Sequence, residues 1–267
     1  VSYKKEISQE VIMSEKYKFV DLSVPIEESV SEPFMPKIEH LDHSVGARVM
    51  SEIFGVPEKD LPEGLGWAND NITLITHAGT HLDAPWHYAP TAGGAPAMTI
   101  DEVPLEWCFR DGVVLDMRHK PDGSRITVED ITKALESINY DLKPLDIVLF
   151  MTGADRYWGK PDYMNHGCGL VKDSTLWLID KGIRVMGIDA WGFDRPFSVI
   201  REEYQKEGDP SIIWEAHYAG IEAPYCHIEK LSNLDELPPF GFKVSCFPVK
   251  ITKASAGWCR PVAIIPL

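Results

Sequence analysis

The stretch THAGTHLDAPWHY, Thr76 to Tyr88, places three of the chain's nine histidines within eleven residues, with an aspartate among them. Imidazole and carboxylate together are donors for zinc, manganese or ferrous iron. Two histidines and one aspartate leave coordination positions open, as a hydrolytic metal requires. The segment does not read as a helix. At 100° per residue His77 and His81 share a face, but Asp83 and His87 lie about 200° around from His81, and Gly79 and Pro85 oppose helix formation. Read as extended chain, all four polar residues sit at odd positions and project to one side. A straight strand holds His77 and His81 roughly 13 Å apart, whereas ligand atoms lie about 2.0–2.2 Å from a shared ion. The chain must therefore bend, and Gly79 and Pro85 permit it. The expectation is a strand running into a tight loop that gathers imidazoles and a carboxylate.

The elements that carry this segment read as alternating strand and helix. FVDLSVPI (19–26) alternates as a strand, and residues 29–66 read as long loops with one short helix. NITLITH (71–77), GVVLDM (112–117) and DIVLFMTG (146–153) are β-branched and apolar, hence strands. ITVEDITKALESI predicts a helix with Thr127 as N-cap and Asp130 three residues on. DSTLWLIDKG predicts a helix closed by Gly182, followed by the strand IRVMGID (183–189). Strand, helix and strand over 146–189 predict a right-handed crossover joining parallel strands. FKVSCFPVKI and PVAIIPL are strand-like. The expected architecture is one mixed α/β domain over residues 19–267, preceded by an extension over residues 1–18.

Composition narrows the function. The 267 residues are 44% hydrophobic and 25% charged, the balance of a soluble protein. Twenty-six basic against 41 acidic residues give a net charge of −15, which repels phosphate backbones and argues against nucleic-acid binding. No apolar run approaches 18 residues, and the beginning of the chain is too polar for a secretory signal. Five cysteines without CxxC spacing read as reduced thiols, so a cytoplasmic location is expected. The serine-hydrolase signature GxSxG is absent.

HAGTHLDAPWH resembles the HxGTHxDxPxH signature of the cyclase family of metal hydrolases, which includes kynurenine formamidase and isatin hydrolase. TGADRYWG, WLIDKGIRVMGIDAWGFD and HYAGIEAPYCHIEKLSNLDEL are similar to further segments of that family, and the similarity runs from about Phe19 to Leu267. The resemblance implies a compact α/β fold with a barrel-like β core, of the swivelling β/β/α cyclase type, and a homodimer or tetramer. It implies His77, His81 and Asp83 as ligands of a first divalent ion, Mn²⁺ or Zn²⁺. It also implies His87 and His217 as acid/base groups or second-metal ligands, and Glu229 as a further ligand. His227, two residues before Glu229, takes a structural role in this reading. The long aromatic interval between Asp189 and His217 is more similar to the isatin-hydrolase branch than to the formamidases. Asp194 and Arg195 within it either shape the site or form an internal ion pair. Trp67, Trp86 and Phe54 are candidates to stack on a planar aromatic substrate, with core packing as the alternative. The leading expectation is an amidohydrolase opening a cyclic aromatic amide. Its rivals are a two-zinc arylformamidase acting on N-formylkynurenine and a non-catalytic metal-binding protein.

Overall fold

A computed structural model describes residues 16–267. In chain order its regular elements begin with β1 (Tyr17–Asp21), β2 (Lys37–Leu41), α1 (His43–Phe54), β3 (Asn69–Thr73), β4 (His81–Asp83) and α2 (Pro85–Tyr88). There follow β5 (Thr91–Ala92), β6 (Ala95–Pro96), β7 (Phe109–Asp116), β8 (Arg125–Ile126), α3 (Val128–Ser137), β9 (Ile147–Met151) and β10 (Gly169–Leu170). The rest are α4 (Lys172–Asp180), β11 (Val185–Ile188), α5 (Phe197–Glu207), α6 (Glu215–Ala219), β12 (Cys226–Glu229), β13 (Phe240–Ser245), β14 (Ala256–Trp258) and β15 (Val262–Pro266). None of the helices described is long and apolar enough to cross a membrane.

Nine strands form one mixed sheet in the order β1-β15-β13-β7-β9-β11-β12-β4-β14. Its centre, β7-β9-β11-β12, is parallel, and the pairs on either side are antiparallel. The parallel β9–α4–β11 unit is the predicted crossover. β9 is buried along its whole length because the sheet is covered on both faces. Val148 and Phe150 face one core, with Ile131 and Leu135 of α3 and Leu178 of α4. Ile147, Leu149 and Met151 face the other, with Val20 of β1, Leu82 of β4 and Phe242 of β13.

That second core shows why the sheet curls into a half-barrel. β1 and β4 are seven strand spacings apart, about 34 Å in a flat sheet. Yet the Val24 amide, just past β1, donates to Thr80 Oγ1, just before β4, at 2.8 Å. The barrel-like β core thus forms because one apolar lining is shared by strands from both ends of the sheet.

Helix α3 begins as the sequence predicts, with Thr127 and Asp130 in a reciprocal capping box, and Gly182 follows α4 with φ +88°. Two expectations need correction. Residues 29–66 hold the expected helix among loops, but it runs for twelve residues as α1, its start capped by Asp42 accepting from the Ser44 and Val45 amides, and it is preceded by a strand, β2, that was not expected. Gly46 and Gly66 let α1 cross the following segment closely; a Cβ on Gly46 would stand 1.7 Å from the Trp67 carbonyl oxygen. Nor does the 71–77 strand run into the histidine loop. β3 pairs antiparallel with β2 as a separate two-stranded sheet and ends at Thr73. The bend at residues 76–80 comes first, and the strand, β4, follows it. Of the expected extension over 1–18, the first fifteen residues lie outside those described, while Tyr17 and Lys18 belong to β1.

Candidate metal centre

β4 supplies the base of the site. His81 and Asp83 alternate with Leu82, so both polar side chains leave the face whose apolar residue enters the core. The neighbouring antiparallel strand β12 has the same pattern. His227 lies opposite Asp83, Ile228 opposite Leu82 and Glu229 opposite His81. Two short H-x-D and H-x-E strands in register therefore place two imidazoles and two carboxylates on one patch. His77 reaches it from the 76–80 bend, where Gly79 takes φ +59°. α2, begun by Pro85, delivers His87, and α6 delivers His217.

All these groups converge on Asp83. Its Oδ1 lies 2.9 Å from His77 Nδ1 and 3.2 Å from His81 Nε2. Its Oδ2 lies 3.1 Å from His227 Nε2, 3.7 Å from His87 Nε2 and 3.8 Å from His217 Nε2. Glu229 closes the cluster, 3.3 Å from His227, 3.6 Å from His217 and 3.6 Å from His81. Two donor groups share the aspartate: Asp83, His217, His227 and Glu229, all buried, and His77, Asp83 and His87 nearer the surface.

The donors fit a cation. Both Asp83 oxygens and His227 Nε2 are buried without a hydrogen-bond partner, which is costly for a carboxylate unless something positive satisfies it. The far nitrogen of each of four imidazoles is anchored. His81 Nδ1–H donates to the Gly79 carbonyl at 2.9 Å, and His77 Nε2–H to Ser255 Oγ at 3.0 Å. His227 Nδ1 lies 3.0 Å from Tyr88 Oη and 3.2 Å from Tyr225 Oη, and its N–H donates to this pair when the Tyr225 hydroxyl donates to the Ala216 carbonyl and the Tyr88 hydroxyl to the Asp83 carbonyl. His217 Nδ1–H donates to Asp194. These bonds turn a lone pair of each ring inward, the usual arrangement behind metal-ligating histidines. His77 Nδ1 and His81 Nε2 are then two lone pairs only 3.2 Å apart, an approach that a shared cation reconciles.

The electrostatics follow from this crowding. Burial opposes ionisation of Asp83, but the imidazoles gathered around it, His81 and His77 foremost, outweigh burial and hold the carboxyl well below its ordinary value. Burial likewise opposes ionisation of Glu229, and the close approach of His227, with His81 behind it, brings it down to about 2. Burial lowers His87 to about 4 despite Asp83. For His217 without a cation beside it, burial is overcome by the bond and charge of Asp194, which push it up to about 9, so a cation would take the place of its Nε2 proton.

The structure thus brings His77, His81, Asp83, His87, His217 and Glu229 together. It also adds His227, which the sequence reading set aside; the signal was available in CHIEK, whose alternation mirrors THLDA. Asp194 is the partner of His217, while Arg195 forms a separate ion pair with Glu203 at 2.6 Å. Asp189 turns away to accept from Thr152 and Gly153. The aromatic candidates divide. Phe54 and Trp67 are 59% and 38% exposed, and neither ring packs on the described imidazoles. Trp86 adjoins His87 in α2 and is 45% exposed. The tryptophan ring that packs on the imidazoles is Trp214, stacked on His217 at 4.0 Å and edge-on to His87 at 5.2 Å, while Phe193 and Tyr88 stack on His227 at 4.4 and 5.2 Å. Beside it lies a cavity of about 370 Å³ lined by Phe197, Ile200, Tyr204, Ile213 and Tyr218.

This fold and this donor set define a cyclase-type α/β protein. The chain belongs to the cyclase family, whose sequence model matches residues 20–195. It is 26% identical over 194 residues to kynurenine formamidase of Erythrobacter litoralis, covering 72% of this chain and 74% of that one. It is 24% identical over 224 residues to isatin hydrolase of Roseibium aggregatum, covering 80% and 81%. The fold matches isatin hydrolase A from Labrenzia aggregata with a TM-score of 0.74, 21% identity and 100% of both chains covered.

Proposed function

We propose that the chain is a metal-dependent hydrolase that opens a cyclic aromatic amide. The observation carrying this reading is Asp83, a buried carboxylate with two unpartnered oxygens inside a ring of inward-facing imidazoles. His77, His81 and Asp83 would hold the ion. A divalent cation there, zinc or manganese, would supply the acidity that makes water a nucleophile near neutral pH and would polarise a carbonyl oxygen. The remaining side chains handle the proton. His87 at the rim, its ring 4.0 Å from that of His77, and the deeper His217 are the imidazoles placed to accept it and return it to the leaving nitrogen. Water's hydroxyl adds to the carbonyl carbon as the C–N bond breaks. Trp214 offers an aromatic wall to a planar ring, which supports an isatin-like substrate. Kinship with isatin hydrolase points the same way.

A second reading, an arylformamidase acting on N-formylkynurenine, is favoured by the sharing of Asp83 between two donor groups. His217, His227 and Glu229 would then hold a second zinc. One experiment separates the readings: isatin and N-formylkynurenine are assayed on one preparation, chelated and then reloaded with manganese or zinc, with metal counted per chain. Isatin turnover with one ion supports the first reading. Formate release with two zinc ions and no action on isatin replaces it with the second. Full turnover by chelated, metal-free protein refutes both.

A further inference from the structure

Beneath the 76–80 bend lies an ion pair that the chemistry above does not use. Lys230 and Glu32 are almost wholly buried, at 1% and 5% exposure. The Lys230 ammonium donates to both Glu32 oxygens and to the His77 carbonyl, each at 2.8 Å, so all three of its N–H groups are engaged. Glu32 Oε1 also accepts from the Gly79 amide at 2.8 Å. Thr80 Oγ1 donates to the Lys230 carbonyl at 2.6 Å. The backbone of His77 and Gly79 is thus tied to the charged groups of one buried pair, and the Thr80 hydroxyl to the backbone of Lys230.

We propose that Lys230 and Glu32 are positioning residues that set the location of His77 in the metal centre. The inference rests on the cation reading given above. His77 lies outside β4, joined to His81 through a left-handed glycine that by itself leaves the bend free to pivot. Lys230 removes that freedom from the opposite side. It follows Glu229 directly and takes the left-handed conformation, φ +58°. That turn sends Glu229 into the donor cluster and Lys230 under the bend. The end of β12 therefore places Glu229 directly and His77 through its backbone. Apolar residues of similar volume commonly replace a buried ion pair without loss of stability. What they would not reproduce is a cation bonded to the His77 carbonyl and a carboxylate bonded to the Gly79 amide.

The test uses Co²⁺ alone as probe, with full-length wild-type protein, Glu32→Gln, Lys230→Met and the doubly uncharged Glu32→Gln/Lys230→Met. Dissociation constants come from chelator competition and coordination from the visible absorption of bound Co²⁺. Glu32→Gln is isosteric, and the double variant leaves no unpaired buried charge, so they carry the test where Lys230→Met fails to fold. Folded variants are expected to bind Co²⁺ about 10- to 100-fold more weakly, the range for loss of an outer-shell partner, with an altered spectrum. Folded variants with a lowered melting temperature but wild-type Co²⁺ affinity and spectrum would overturn the proposal and leave the pair a purely structural role. Wild-type protein that takes up no Co²⁺ would overturn the cation reading itself.

Discussion

Asp194→Asn keeps the shape of the side chain and tests how His217 is set. Asp194 accepts from the Ala216 amide at 2.8 Å, from the His217 amide at 3.3 Å and from His217 Nδ1. An ionised carboxylate only accepts, so Nδ1 carries a proton, and with a cation held beside Asp83 and Glu229 it is the Nε2 lone pair that would face it. Asparagine has one accepting and one donating end. If its oxygen keeps the Ala216 amide, its NH₂ faces His217 Nδ1 and reverses the tautomer, turning an N–H toward the cation position. If it is flipped, two donors meet at the start of α6. Either way a hydrogen bond to a charged group is lost, worth about 1.5–3 kcal/mol. At about 1.36 kcal/mol per tenfold, metal affinity or kcat/KM should fall roughly 10- to 150-fold. Asp194→Ala removes the anchor without imposing the wrong tautomer, so it should damage metal binding less than Asp194→Asn. Chelator competition measures the affinities, and ¹⁵N NMR of the imidazole reads the tautomer. Wild-type affinity and turnover in Asp194→Asn, with Nδ1 still protonated, would refute this account of His217.

His81→Ala should lose more metal affinity than the about 10–100-fold typical of an outer-shell change, while far-UV circular dichroism stays unchanged because Leu82 holds β4 from its other face; normal metal stoichiometry would remove His81 from the ligand set. A third expectation concerns pH. Burial, opposed by bonds from Thr152 and Gly153, holds the Asp189 carboxyl at about 7, above its ordinary 3.8. The native state then binds the extra proton, so this contribution to stability is fully present below about pH 4, declines as pH rises to about 7 and is flat beyond. Its slope reaches at most about 1.4 kcal/mol per pH unit. Urea unfolding of wild type and Asp189→Asn from pH 4.5 to 7.5 checks it; identical slopes in the two proteins would rule the assignment out.

What the sequence determined by itself was local. The capping box of α3, the apolar run of β9 and the β9–α4–β11 crossover depend on neighbours within one or two turns or on a single buried strand. His77, His81, Asp83 and His87 were legible as a group because a bend within eleven residues suffices to gather them. The tertiary structure decided the rest. His227 was legible only as alternation in CHIEK; its use depends on β12 pairing with β4 in a register that sets it opposite Asp83. Trp214 reaches His217 across one short helix and was hidden among many aromatic residues. Glu32 and Lys230 lie 198 positions apart, and nothing in either neighbourhood marks them as partners. A sheet curled into a half-barrel makes such pairs, because the shared apolar core fixes which distant segments touch. Local patterning selects strands and helices, but it carries no record of that contact.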